Sequence, residues 1–370
     1  MTRTQRHECN TAVFPLLANP QAYTACAWDL TADHDKRAYW LSLFRRHLPS
    51  LLDEAIAEAG DDPIAKQRAR ACRDDFLAYL DAVEVDPKRF GRLDILAICH
   101  ARERALRRAG FDDPYRLAKQ RENDLAMKLL PGRLNELDTM PPSDRVPCLI
   151  EGVFAGNIFD LGAPATIDLF KNGGVDFPTA RQKLQPRPWL FDDLDAWVQR
   201  ITQGQPYRAA VLFVDNAGPD ILLGMVPLAR DLLQRGTQVI LTANSTPALN
   251  DVTHDELAAL IDQIAAWDAT VSNALGDDRL ELVPSGNGAP LIDLKHVSGE
   301  LVEAVERREV DLVVLEGMGR TIETNFDAAF RCDALKIAMI KDPGVAGSLG
   351  ARLYDLVLRF EPGANQRRSA

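Results

Sequence analysis

No apolar run in this chain reaches the roughly 18 residues that a membrane-spanning helix requires. The amino-terminal stretch MTRTQRHECNTAVFPLL carries charge but no long apolar core and no clear cleavage site, so no secretory signal is expected and cytoplasmic residence is the default. Cysteine is sparse and scattered: Cys9, Cys26, Cys72, Cys99, Cys148 and Cys332 form no C-x-x-C pair, which argues against a disulfide framework and a structural zinc site and leaves buried free thiols. The six histidines, His254 and His296 among them, show no metal-ligand spacing. Also missing are G-x-x-x-x-G-K-[ST], H-E-x-x-H and G-x-S-x-G. Basic residues are outnumbered, with a formal net charge of -11, and a nucleic-acid partner is disfavoured because phosphate backbones require a basic surface.

What is present is an ordinary globular composition over 370 residues, 46% hydrophobic and 26% charged, enough for two domains. The first part, residues 1–145, has helical periodicity. Trp40, Phe44 and Leu48 recur at four-residue spacing before Pro49, which predicts a break or a kink, and Ser50 then reads as an N-cap with Asp53 three residues on. Further helices are expected around Phe76 and Leu80, around Ile95 and Leu106, and through Leu117, Ala118, Leu125 and Leu129, stopping at Pro131-Gly132. Met140 to Asp144 reads as a linker. In the helix expected after Pro147, Leu149, Val153 and Asn157 share a face, and Asp160 joins them.

From about residue 207 the period changes. Apolar, β-branched runs at 209–215, 237–243, 279–285, 311–317, 336–342 and 353–360 alternate with helical segments such as PDILLGMVPLARDLLQR. Strand–helix alternation with strands apolar on both faces predicts a mainly parallel sheet covered on both sides. The expected fold is therefore α/β, Rossmann-like and doubly wound over residues 146–370, with a helical amino-terminal domain.

Open parallel sheets bind ligands at the carboxyl ends of their strands. Just past the predicted strand ends stand Asp215-Asn216, then Asn244-Ser245 and Asn250-Asp251, then Ser285-Gly286-Asn287-Gly288, then Glu316-Gly317-Met318-Gly319-Arg320, then Lys341-Asp342. Asp215, Asn216 and Asp251 are hard oxygen donors suited to Mg²⁺ or Mn²⁺, although each also fits a turn or a helix cap. Arg320 and Lys341 can neutralise a phosphate. Glu316 fits equally an orienting group behind the ligands or a helix cap. Gly317 and Gly319 allow close backbone approach but lack the third glycine of a dinucleotide fingerprint. Asn157 and Asp160 can project into the same cleft.

At these residues the chain resembles the metal-dependent damage-control phosphatases, specifically the subfamily found as the carboxyl-terminal domain of some eukaryotic pantothenate kinases. The matching segments are DPYRLAKQREN (113–123), EGVFAGNIFDLGA (151–163), FVDNAGPDILLG (213–224), ANSTPALNDVTHDE (243–256), EGMGR (316–320) and LKIAMIKD (335–342), within a likeness over roughly residues 35 to 362. No kinase-like segment precedes them, so a stand-alone phosphatase module is expected. The resemblance implies Asp215, Asn216 and Asp251 as metal ligands, Lys341 as the active-site lysine, and a divalent ion (Mn²⁺, Ni²⁺, Co²⁺ or Mg²⁺) as cofactor. It implies hydrolysis of 4′-phosphopantetheine or its oxidised forms. Beside it, Asn157 and Asn250 are expected as contacts to phosphate or to metal-bound water, and Ser245, Gly317 and Gly319 at the strand-end loops as substrate contacts. The attacking group, water or carboxylate, stays open, and a homo-oligomer is compatible with this reading. Competing readings are a phosphatase of another small phosphometabolite such as a sugar phosphate, a carboxyl methyltransferase, and a non-catalytic metabolite sensor. The methyltransferase predicts a glycine-rich loop after the first strand, where DNAGPD supplies one glycine.

Overall fold

The computed structural model describes residues 11–26, 28–158 and 177–364. Five long helices come first: α1 (His34–Glu58), α2 (Pro63–Val85), α3 (Ile95–Arg108), α4 (Arg116–Asp138) and α5 (Pro142–Asn157). Two proline expectations fail here. Helix α1 runs unbroken through Pro49, with Ser50 in its interior, and its N-cap is Asp33, which accepts from the Lys36 amide. A proline inside a helix costs about 3 kcal/mol. Against that, α1 buries Trp40, Leu41, Phe44, Leu48, Leu51 and Leu52 on one stripe, each contributing roughly 1.5–3 kcal/mol, so packing wins. Helix α4 likewise passes through Pro131. Its buried stripe is also not the one expected. Leu117, Leu125 and Leu129 are exposed, while Ala118, Lys119, Asn123, Ala126, Leu130 and Leu134 are buried. The expected linker is mostly helix, since α5 starts at Pro142, where a missing N–H has no partner to lose.

The strands are β1 (Thr11–Ala12), β2 (Phe191–Asp192), β3 (Ala209–Phe213), β4 (Gln238–Ala243), β5 (Leu280–Pro284), β6 (Val297–Ser298), β7 (Leu312–Glu316), β8 (Asp333–Met339) and β9 (Leu356–Glu361). β1 pairs with β6, and the others form one sheet in the order β2-β9-β8-β7-β3-β4-β5. Pairing is parallel except between β8 and β9. Both faces are apolar, as the continuous β-branched runs require. Along β3, Ala210 and Leu212 enter one core with α5 residues Ile150, Val153 and Phe154. Ala209, Val211 and Phe213 enter another with Phe14 and Leu301. A third core joins α1, α2 and α3 to Ala338, Ile340 and Val357 of the β8–β9 end of the sheet. Among the described cysteines all are free, and Cys26, Cys72, Cys99 and Cys148 are buried.

From β3 the chain moves outward to β4 and β5, then returns to lay β7 on the other side of β3 and continues to β8. The order reverses between β3 and β7. Strand-end loops diverge at such a point and leave a crevice. Each of these two strands is followed by a π-helical turn, Asp220–Met225 after β3 and Met318–Glu323 after β7. Pro227 stands in the first turn of α6 (Val226–Gln234), directly behind the first of them. Widened turns of this kind recur at functional sites.

Candidate active site

The crevice collects side chains from several elements. β3 delivers Asp215 and Asn216, and the turn after it delivers Asp220. The loop after β4 delivers Asn244, Asn250 and Asp251. β7 ends on Glu316, with Arg320 in its π-turn, β8 leads into Lys341, and α5 ends on Asn157. All of these are buried, at 5% exposure or less.

Asp215, Asp220 and Glu316 each offer an oxygen within 4.8 Å of the others. Asn157 Nδ2 faces all three, donating to Glu316 Oε1 (2.7 Å), Asp220 Oδ2 (2.9 Å) and, more weakly, Asp215 Oδ2 (3.4 Å). Asn216 Nδ2 donates to Asp215 Oδ2 (3.0 Å) and Asp220 Oδ2 (2.9 Å), and the Asp215 amide donates to Glu316 Oε2 (2.9 Å). Glu316 thus orients β3's end and caps no helix. Asp251 caps none either, because Thr253 is the N-cap of α7 (His254–Ala265), in a capping box with Glu256. Asp251 instead sits beside Asn216 through a backbone bridge. Its carboxylate accepts from Asn244 Nδ2 (3.0 Å) and Arg320 Nη2 (2.6 Å). Arg320 Nη1 donates to Asp215 Oδ1, so one guanidinium spans Asp215 and Asp251. Lys341 Nζ donates to the Asn157 carbonyl (3.0 Å).

Crowding acid into a dry site has the expected electrostatic consequence. Burial, then the Asp215 charge, pushes the Asp220 carboxyl up to about 6. Burial, then Asp220 and Asp215, pushes Glu316 well above the ordinary glutamate range. Burial alone would weaken the Arg320 charge, but Asp251 and Asp215 more than offset it and raise its pKa. Several buried atoms make no hydrogen bond among the described residues: Asn157 Oδ1, Asp220 Oδ1 and both polar atoms of the Asn250 amide. Acceptor oxygens left without donors beside three clustered carboxylates are the donor set a hard divalent cation takes. The residues fit such an ion.

Gly317 shows how tightly the cluster is built. Its φ is +93°, and a Cβ added there would overlap the Asp215 carboxylate. Gly317→Ala is therefore expected to displace Asp215 and lower metal-stimulated turnover by about a hundredfold or more, with about 1–3 kcal/mol of backbone strain added. Turnover and urea stability, measured on the same preparation, check both effects.

Gly319 lines the cavity against Pro290. Ser245 does not reach it; its hydroxyl accepts from the Gly286 amide (2.8 Å) and ties the loop after β4 to the loop after β5. Asp160 lies outside the described residues. Asp220 was not anticipated, because Pro219-Asp220 reads as an ordinary helix start. Its signal was position, five residues after Asp215 on the same strand-end loop.

The cavity over this floor measures about 120 Å³. Asp215, Asn216, Asp251 and Lys341 line it, together with the apolar Trp40, Phe44, Ile95, Leu249, Leu291 and Met318 and the polar His47, Arg102, Glu323 and Asp342.

A doubly wound sheet whose switch point buries an oxygen-rich cluster beside an arginine and a lysine defines a site for a divalent cation and an anionic ligand. Residues 37–357 match the damage-control phosphatase ARMT1-like domain, and the chain belongs to that family. It is 39% identical to a damage-control phosphatase of Arabidopsis thaliana, over 94% of this chain and 96% of that protein. It is 36% identical to the 4′-phosphopantetheine phosphatase of Mus musculus over 98% of this chain and 49% of that protein. It is 43% identical to pantothenate kinase 2 of Arabidopsis thaliana over 95% of this chain and 42% of that protein. The chain thus spans less than half the length of these last two. A duf89 family protein from Pyrococcus horikoshii shares the fold, with a TM-score of 0.60 at 16% identity over 86% of this chain and 96% of that one. No helix among the described residues is long and apolar enough to cross a membrane.

Proposed function

We propose that this chain is a cytoplasmic, metal-dependent phosphomonoesterase acting on 4′-phosphopantetheine or its oxidised and damaged forms. The observation that carries this reading is the cavity itself, where Asp215, Asp251 and Lys341 share the lining with an apolar set of side chains and a few polar ones. A phosphate ester on an extended arm of mixed polarity fits that lining, with its methyl and methylene groups against the apolar residues and its amide and hydroxyl groups against the polar ones. In this reading residues 1–145 form the helical unit that supplies about half of the lining above the site, and residues 146–370 form the α/β unit that supplies the rest and the site itself.

Asp215, Asn216 and Asp251 would hold the ion, Mn²⁺, Ni²⁺, Co²⁺ or Mg²⁺, with Asp220 and Glu316 completing the acidic surround. When bound, the ion supplies Lewis-acid polarisation of the phosphoryl group and a template for its oxygens. Lys341 and Arg320 place positive charge where the equatorial oxygens gain negative charge. Asn157 orients the Asp215, Asp220 and Glu316 carboxylates, and Asn250, whose side-chain amide finds no partner among the described residues, would contact phosphate. The apolar part of the lining excludes water, which strengthens each of these interactions.

The test is phosphate release by chelator-treated protein from 4′-phosphopantetheine and from p-nitrophenyl phosphate, with each of the four ions added back. Release restored by metal, at a kcat/KM far higher for 4′-phosphopantetheine, is the expected result. Comparable release from sugar phosphates would move the substrate to another phosphometabolite. Metal binding without release from any ester would leave a metabolite sensor.

A further inference from the structure

We propose that Lys119 and Asn123 of α4 are positioning residues that hold the two halves of the ion site in register. The first turns of helix α4 touch both loops that carry the acidic cluster. Lys119, 1% exposed, pairs with Asp113 Oδ2 (2.9 Å) and Glu256 Oε1 (2.8 Å). Its ammonium also lies 3.5 Å from the Asp251 carbonyl oxygen. Glu256 in turn accepts from the Thr253 amide (2.9 Å), two residues beyond Asp251. The Asp113–Lys119–Glu256 chain therefore fixes the Asp251 loop from behind.

One helical turn later, Asn123 Oδ1 accepts from the Gly218 amide (2.7 Å), between Asp215 and Asp220. Glu122 packs over the same spot, so that a Cβ on Gly218 would lie 2.8 Å from Glu122 Cβ. Lys119 and Asn123 are four residues apart and share one face of α4. The two loops meet each other as well, through Ala217 amide to Asn250 carbonyl (2.9 Å) and Val252 amide to Asp215 carbonyl (3.0 Å). Past Asn123 the stripe turns apolar, with Ala126, Leu130 and Leu134 in the core beneath the sheet. The helix is thus anchored by its apolar end and grips both loops with its polar end. Groups that orient ligands without touching the ion change metal affinity by 10- to 100-fold when removed.

This inference rests on the metal reading above, and the experiment separates the two. Mn²⁺ affinity is measured by calorimetry on chelator-treated wild type, Lys119→Met, the milder Asn123→Ala, and the control Arg308→Met. Arg308 is equally buried and ion-paired, with Asp278 and Glu281, but at the far, amino-terminal end of β5. The expected result is a 10- to 100-fold weaker Kd in Lys119→Met and Asn123→Ala, unchanged in Arg308→Met. Faster amide exchange at 216–220 and 250–253 in the metal-free variants is expected alongside. Wild-type Kd in Lys119→Met and Asn123→Ala, with only a lowered melting temperature as in the control, overturns the positioning role while the metal reading stands. A wild type that binds no Mn²⁺ overturns both.

Discussion

Asp220→Asn is expected to yield a protein that is more stable without metal and at least about a hundredfold slower with it. The variant keeps an oxygen to accept from Asn157 and Asn216, which donate to Asp220 Oδ2 in the native chain, so the local fold should persist. What changes is charge. Because burial and the Asp215 charge push the native carboxyl up from an ordinary 3.8 to about 6, the folded state holds a proton that the unfolded chain has already released between those pH values. Stability therefore falls as pH rises through that window and stays lower above it. The shift is worth on the order of 2–3 kcal/mol at neutral pH. Asparagine carries no such penalty, so the stability gap between variant and wild type should be small below pH 4, open between about 4 and 6, and level off near 7. Urea titrations of chelator-treated protein across that range measure it. Turnover should move the other way, because removing one charged oxygen from a three-carboxylate cluster weakens ion binding and transition-state stabilisation together. A stabilised but inactive variant is the trade-off expected where a strained acidic cluster serves function. Full metal-stimulated turnover in Asp220→Asn would remove Asp220 from the site.

The second large effect is expected at Arg320. Its guanidinium pairs with both Asp215 and Asp251, and all three side chains are nearly dry, at 2%, 6% and 2% exposure. Arg320→Met fills similar volume but leaves two buried carboxylates without their cation, which in buried pairs costs about 3–5 kcal/mol. A divalent ion held by those same carboxylates restores much of that charge balance. The destabilisation should thus be large in chelator and markedly smaller in millimolar Mn²⁺, as linkage between binding and folding requires. Turnover should fall by about a hundredfold even with metal, for loss of positive charge beside the phosphoryl oxygens. Equal destabilisation with and without Mn²⁺ would show that Arg320 acts only as a structural ion pair, and that Asp215 and Asp251 do not share an ion.

Much of the site's address was legible in one dimension. A β-strand is short and its apolar runs are contiguous, so the strands at 209–213, 238–243, 280–284, 312–316, 333–339 and 356–361 declared themselves locally. The rule that ligands collect past strand ends then picked out Asp215, Asn216, Asp251, Glu316, Arg320 and Lys341, which the fold brings around one crevice. Helix ends were less legible. Pro49 and Pro131 carry a strong local signal to stop, and only the burial of whole helical stripes outweighs it.

By itself, then, the sequence determined the strand–helix alternation, the apolar faces that force a covered sheet, and the polar residues at each strand's exit. These follow from nearest-neighbour chemistry. Tertiary structure alone decided which of those exits meet, because the switch point between β3 and β7 depends on strand order and not on any local pattern. It decided that Asp220 belongs with Asp215 and Glu316, and that the polar Lys119 and Asn123 face inward while Leu117, Leu125 and Leu129 face water. The reason is physical: a buried polar group is stable only when distant parts of the chain supply its partners. For Lys119 those partners include Glu256, and for Asn157 they include Glu316, 137 and 159 residues away.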